Sequence, residues 1–191
     1  MFRLFVGLGL PEGIAARINI MSSGIPGARW VEPENLHLTL RFIGEVDEPA
    51  AEDIDYALRQ IADHPFDLKL EGLGTFGKNG KEHTLWIGAA PSPELLHLQA
   101  KVESAIVRAG QPAEERKFTP HVTIARMTRP DLTRLQNFIE GNGLFQAGPF
   151  RVERFTLFES EPGNGGPVYT PLEDYPLTWS ILGRSGNRFG R

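Results

Sequence analysis

A chain of 191 residues with 40% apolar and 23% charged side chains has an ordinary globular composition and is long enough to close a core without metals or cross-links. It contains no cysteine, which removes disulfides, thiolate nucleophiles and cysteine zinc sites and suits a reducing compartment. The formal charge of -4 gives no global pull toward a polyanion, so any such partner needs a local basic surface.

The opening run RLFVGLGL reads as a buried strand, and Pro11 then begins a helix in which Ile14, Ile18 and Met21 recur at helical spacing. Pro11 and Glu12 cut the apolar start too short for a signal peptide. No stretch approaches the roughly 18 apolar residues of a membrane span. The protein therefore reads as cytoplasmic, without membrane contact, and as a monomer. RWVEP and HLTLRFIG follow as extended segments, and Asp47 and Pro49 open a second helix with Ile54, Leu58 and Ile61 on one face. FDLKLEGLGTF and TLWIGAA read as strands around the turn GKNGKE, and a third helix runs from PELLHLQ to Gly110. The strand HVTIARM comes next, then a helix from about Asp131 to Glu140, the strand FRVERFTLFES and a last segment ending in YPLTWSIL. Residues 1–182 are expected to form one domain, and the basic, glycine-rich stretch 183–191 a tail.

This order contains a repeat. His37 and His121 lie 84 positions apart, as do Thr39 and Thr123, the helix-opening Asp47 and Asp131, and the pairs Pro65-Phe66 and Pro149-Phe150, each expected just before a strand. Upstream, LFVGLGLPEG resembles LWIGAAPSPE at an offset of about 81. A duplicated unit predicts an α+β, bilobal fold: two lobes related by a pseudo-twofold axis, each with an antiparallel sheet and flanking helices, around a central cleft.

On a strand, residues two apart share a face, so His37 and Thr39 point together, as do His121 and Thr123. Leu38 and Leu40, and Val122 and Ile124, take the opposite, core-facing side. Two imidazoles and two hydroxyls meeting from opposite sides suit a phosphodiester. Histidine titrates near pH 6.5, so a neutral ring can take a proton from the attacking oxygen while a protonated ring gives one to the leaving oxygen. In-line displacement places those oxygens on opposite sides of phosphorus. The hydroxyls can donate to the non-bridging oxygens, and the chemistry needs no metal and no cofactor. The residues leave open which histidine is donor and which acceptor.

Other features carry less. His83 is adjacent to Thr84 and so faces away from it; His97 lies within a helix and His64 near a helix end. The five histidines show no metal-ligand spacing, and GLGTFGKNG lacks the Lys-Ser/Thr ending of a phosphate-binding loop.

The sequence resembles the two-histidine (2H) phosphoesterase superfamily, and within it the bacterial and archaeal RNA 2′,3′-cyclic phosphodiesterase (2′-5′ RNA ligase) family. The residues that carry the likeness are FRLFVGLGLPE, RWVEPENLHLTLRFIGEVDE, KFTPHVTIAR and the late LFES followed by Tyr169. The resemblance implies metal-independent hydrolysis of an RNA-terminal 2′,3′-cyclic phosphate to a 2′-phosphate, with reversible 2′-5′ ligation as the same chemistry. It implies that His37 is the proton donor, His121 the acceptor, and that Thr39 and Thr123 hold the phosphate. Arg126 matches an arginine that assists phosphate binding. It stands five residues after His121, the wrong parity for the cleft unless a bulge re-aims it or it works at the cleft edge. Arg41 has the right parity to reach substrate. Phe42 can stack on a base, although its parity places it in the core. Two other readings use the same residues: a 2H phosphodiesterase acting on a small nucleotide or nucleotide-sugar cyclic phosphate, and a non-catalytic RNA-binding module.

Overall fold

The computed structural model describes residues 1–77, 83–164 and 166–178. The expected tail, and all but the first residue of the expected turn GKNGKE, lie outside them. The described residues form nine strands and four helices: β1 (Phe2–Gly9), α1 (Glu12–Met21), β2 (Arg29–Trp30), β3 (His37–Val46), α2 (Glu48–Arg59), β4 (Phe66–Phe76), β5 (Thr84–Ala89), α3 (Pro93–Arg108), β6 (His121–Arg126), α4 (Leu132–Asn142), β7 (Gln146–Val152), β8 (Arg154–Gly163) and β9 (Gly166–Pro176). A single 3₁₀ turn, Pro33–Asn35, leads into β3. Among these residues no helix is long and apolar enough to cross a membrane.

Helix starts follow local chemistry. The Asp47 side chain accepts from the Ala50 amide at 3.0 Å, and Asp131 does the same for Arg134 at 3.1 Å. Each satisfies one of the amide groups left without a partner at a helix start. Ser92 caps α3 by accepting from Leu95, and Pro93 occupies its first turn. Each helix then buries one stripe: Ile14 and Ile18 of α1, Ile54 and Leu58 of α2, Leu98 and Val102 of α3, Leu135 and Phe138 of α4. These meet one face of the sheet, built from Leu4, Val6 and Leu8 of β1, Leu38 and Leu40 of β3, Leu85 and Ile87 of β5, and Val122 and Ile124 of β6.

The strands lie in the order β7-β4-β5-β6-β3-β1-β8-β9, every neighbouring pair antiparallel, with β2 paired to β6. Two four-stranded halves, β3-β1-β8-β9 and β6-β5-β4-β7, meet at the centre through one registered pair, Leu38 with Val122. The halves exchange strands. β4 follows α2 yet pairs with β5, and β8 lies beyond α4 and β7 yet pairs with β1. The stretch expected as one strand, FRVERFTLFES, is divided between β7 and β8. Pro149-Phe150 accordingly falls inside β7 rather than before a strand.

Strand pairing also corrects the upstream repeat offset. Gly7 lies opposite Thr39 and Trp86 opposite Thr123, so equivalent ladder positions of β1 and β5 are 79 residues apart rather than about 81. The similarity of LFVGLGL to LWIGAA reflects two buried strands of like composition. Register is fixed by which residue sits across the ladder. Asp47→Ala and Asp131→Ala are each expected to cost about 1 kcal/mol of stability, read as a lower urea midpoint with an unchanged m-value.

Candidate active site

His37 and Thr39 are half-buried and alternate with the fully buried Leu38 and Leu40; His121 and Thr123 alternate with Val122 and Ile124 in the same way. The central Leu38–Val122 pair therefore brings both His-x-Thr motifs side by side on the sheet face away from the helices. Each histidine is anchored identically. His37 Nδ1 lies 2.7 Å from the Asn35 carbonyl oxygen, and His121 Nδ1 lies 2.6 Å from that of Thr119. A carbonyl only accepts, so in both rings Nδ1 carries the hydrogen and donates it. That leaves Nε2 of each ring to take or give the proton in a reaction.

Aromatic rings wall both imidazoles. His37 packs on Phe5 at 4.7 Å and Tyr169 at 4.9 Å between ring centroids, with Phe158 at 6.1 Å. His121 packs on Phe76 at 4.8 Å and Trp86 at 6.1 Å. Phe158 and Phe76 hold matching places, since Phe158 pairs with Phe5 on β1 and Phe76 with Thr84 on β5. Trp86 lies flat over Gly74, where an added Cβ would stand 2.2 Å from the indole ring. Only glycine admits that packing.

These walls exclude water and so disfavour a charged ring. Burial pushes the His37 imidazole down to about 4, with the charges of His121 and Arg126 adding to the effect and the Asn35 carbonyl opposing it. Burial also lowers His121, with Arg126 adding and the Thr119 carbonyl opposing. Both shifts favour the neutral imidazole at neutral pH, and the charge of Arg126 acts on both rings.

Arg126 reaches this face because β6 is bulged. Between the pairs Leu85–Ala125 and Trp86–Thr123 one residue, Ile124, is skipped, so Ile124 and Ala125 are both buried and Arg126 emerges on the side of His121. β3 carries the same irregularity. Val6 pairs with Arg41 and Gly7 with Thr39, so Leu40 is skipped.

That second bulge overturns two expectations. Arg41 does not face the cleft: it turns into the interior, 8% exposed, where Nε donates to Glu103 at 2.5 Å, Nη2 to the Pro112 carbonyl at 2.5 Å and Nη1 to the Phe42 carbonyl. Glu103 also accepts from the Glu114 amide at 2.9 Å, so the cluster ties β3 and α3 to the segment leading into β6. Phe42 is not core. It is 39% exposed, on the face of Arg3, whose guanidinium lies 5.3 Å from the ring centroid. The spacing of 84 already held this answer, because it equates Phe42 with Arg126 and Arg41 with the buried Ala125.

The aromatic residues around the histidines carry no pattern of their own that marks them as site residues, although Phe158 and Tyr169 lie in the late segment that carries the resemblance. His83 closes the β4–β5 hairpin, its amide donating to Phe76 at 3.0 Å. His97 is exposed on α3, 3.9 Å from Asp63.

A model of the 2′-5′ RNA ligase superfamily matches residues 11–164. The chain belongs to that superfamily. Among its curated relatives in this superfamily, an RNA 2′,3′-cyclic phosphodiesterase of Aeropyrum pernix is 35% identical over 158 residues, covering 82% of this chain and 89% of the relative. One from Archaeoglobus fulgidus is 31% identical, covering 89% and 97%. In three dimensions the chain is similar to E. coli LigT solved with 3′-AMP, with a TM-score of 0.77, 28% identity, and coverage of 93% and 99%. This likeness of fold accords with the α+β architecture expected from the repeat.

Arg41→Ala is expected to cost about 3 kcal/mol of stability, because it strands Glu103 and two carbonyls. The exposed Arg126→Ala should stay within about 0.5 kcal/mol of the parent. Paired urea titrations distinguish the two arginines.

Proposed function

We propose that the protein hydrolyses an RNA-terminal 2′,3′-cyclic phosphate to a 2′-phosphate without a metal, and that 2′-5′ ligation is the same chemistry run with an RNA 5′-hydroxyl in place of water. The observation that carries this reading is the matched presentation of two Nε2 atoms, each opposite an Nδ1 tied to a backbone carbonyl, in a chain whose relatives include proteins named RNA 2′,3′-cyclic phosphodiesterase.

In the hydrolytic direction His121 Nε2 takes a proton from water as the oxygen attacks phosphorus. The bond to the ribose 3′-oxygen breaks, and His37 Nε2 gives that oxygen its proton. The Thr39 and Thr123 hydroxyls donate to the non-bridging oxygens, and the Arg126 guanidinium offsets the charge collecting there. Burial makes His37 the harder ring to protonate in the empty site. The bound phosphate and the growing charge on the departing oxygen supply the anion that draws a proton onto it. Phe42, where the second half has Arg126, offers a ring with the Arg3 guanidinium over it.

Each histidine variant, His37→Ala and His121→Ala, is expected to lose about 10²- to 10⁴-fold in turnover of cyclic-phosphate RNA measured with EDTA present. Full activity in either, or a loss of wild-type activity to EDTA, contradicts the mechanism. A substrate with a p-nitrophenolate leaving group needs no acid, so it should restore much of the rate to His37→Ala and little to His121→Ala. The opposite pattern exchanges the two roles.

Catalysis needs one neutral and one protonated ring. Both pKa values are lowered from 6.5 in the free protein, so the singly protonated form is lost as pH rises above that value. The kcat/KM, which reports the free enzyme, should therefore fall by up to about tenfold per unit above pH 6.5. The kcat profile should lie at higher pH, because bound phosphate raises both rings. A kcat/KM that climbs between pH 6.5 and 8 counts against this pair of groups.

A further inference from the structure

A cavity of about 500 Å³ opens beside His37, between α1, the 3₁₀ turn and the β8–β9 hairpin. His37, Phe158 and Tyr169 form its inner wall, and the exposed Glu12 and Glu34 stand at its mouth beside Asn35. Among the described residues no lysine or arginine lines it. The volume is that of a small-molecule site. Two carboxylates disfavour a second phosphate or a diphosphate there. A flat ring that stacks on aromatic walls and turns N–H groups toward the mouth is favoured.

We propose that this cavity receives the base of the terminal nucleotide, and that Glu12 and Glu34 make it select guanine against uracil. The inference rests on the function proposed above, in which His37 protonates the 3′-oxygen of the ribose that carries this base. A base seated next to His37 is thus attached to the group on which His37 acts. Guanine presents N1–H and N2–H₂ side by side and gives a carboxylate two hydrogen bonds. Uracil flanks its one N–H with two carbonyl oxygens, which carboxylates repel. The same segment fixes both parts of the site: the Asn35 carbonyl holds His37 Nδ1, and its side-chain Nδ2 lies 3.4 Å from the Pro167 carbonyl, two residues before Tyr169. Glu12 and Glu34 also favour an RNA end over a nucleotide-sugar, whose diphosphate would meet the two carboxylates.

Dinucleotides sharing one 5′ nucleotide and ending in guanosine, adenosine, cytidine or uridine 2′,3′-cyclic phosphate test this directly. We expect kcat/KM highest for guanosine and lowest for uridine, a spread of about tenfold. The double variant Glu12→Gln/Glu34→Gln should collapse that spread. Tyr169→Ala should raise KM for every end more than it lowers kcat. Binding of 2′-GMP and 2′-UMP by calorimetry provides a readout independent of turnover, with 2′-GMP expected to bind about tenfold tighter. Equal use of the four ends, a preference for uridine, or a spread that survives the double variant overturns the proposal. If no cyclic end were turned over while 2′-GMP still bound better than 2′-UMP, the base site would stand and the proposed activity would fall.

Discussion

The registered pairing of Leu38 with Val122 is the constraint on which the site depends. Both side chains are fully buried beneath the helices, so neither can leave its face without exposing apolar area. Strand periodicity then obliges the residue on either side of each to face the other way. His37 and Thr39 flank Leu38, and His121 and Thr123 flank Val122. A slip of one residue in either strand would bury a histidine and expose a leucine or valine, so the core enforces the geometry of the cleft.

The two halves share a scaffold and differ in charge. Both histidines are held by a carbonyl two residues upstream, both are walled by aromatic rings, and both strands are bulged after the threonine. The outcomes diverge at the position the bulge exposes: Arg126 in one half, Phe42 with Arg3 over it in the other. At the residue before it, one half buries Ala125 and the other buries Arg41 against Glu103. On the proposed mechanism each half contributes one proton-transfer group, the Arg126 half binds the anion, and the other half keeps its arginine in a structural ion pair with Glu103.

Much of this was legible because it is local. Asp47 and Asp131 stand at helix starts with apolar stripes behind them, and the alternation in HLTL and HVTI placed the four central residues without further information. What the sequence concealed is non-local. The skipped residues Leu40 and Ile124 are ordinary strand residues, and a bulge is visible only against the strand opposite. Arg41 was misplaced for that reason, and the same effect answers the awkward parity of Arg126. The exchange of β4 and β8 between halves likewise leaves no mark on either strand's own pattern. It does explain why the downstream repeat breaks near Pro149-Phe150, where an extra strand, β7, precedes the exchanged one.

The carbonyl anchors have a consequence for how such a protein can change over time. Asn35 and Thr119 hold the histidine rings through atoms every amino acid possesses. Control of the tautomer is thereby separated from side-chain identity at those two positions. Substitution there is free to retune what the neighbouring pocket accepts while the path of the chain keeps each ring oriented. The acid–base capacity is inherited with the backbone, and substrate preference is left open to selection.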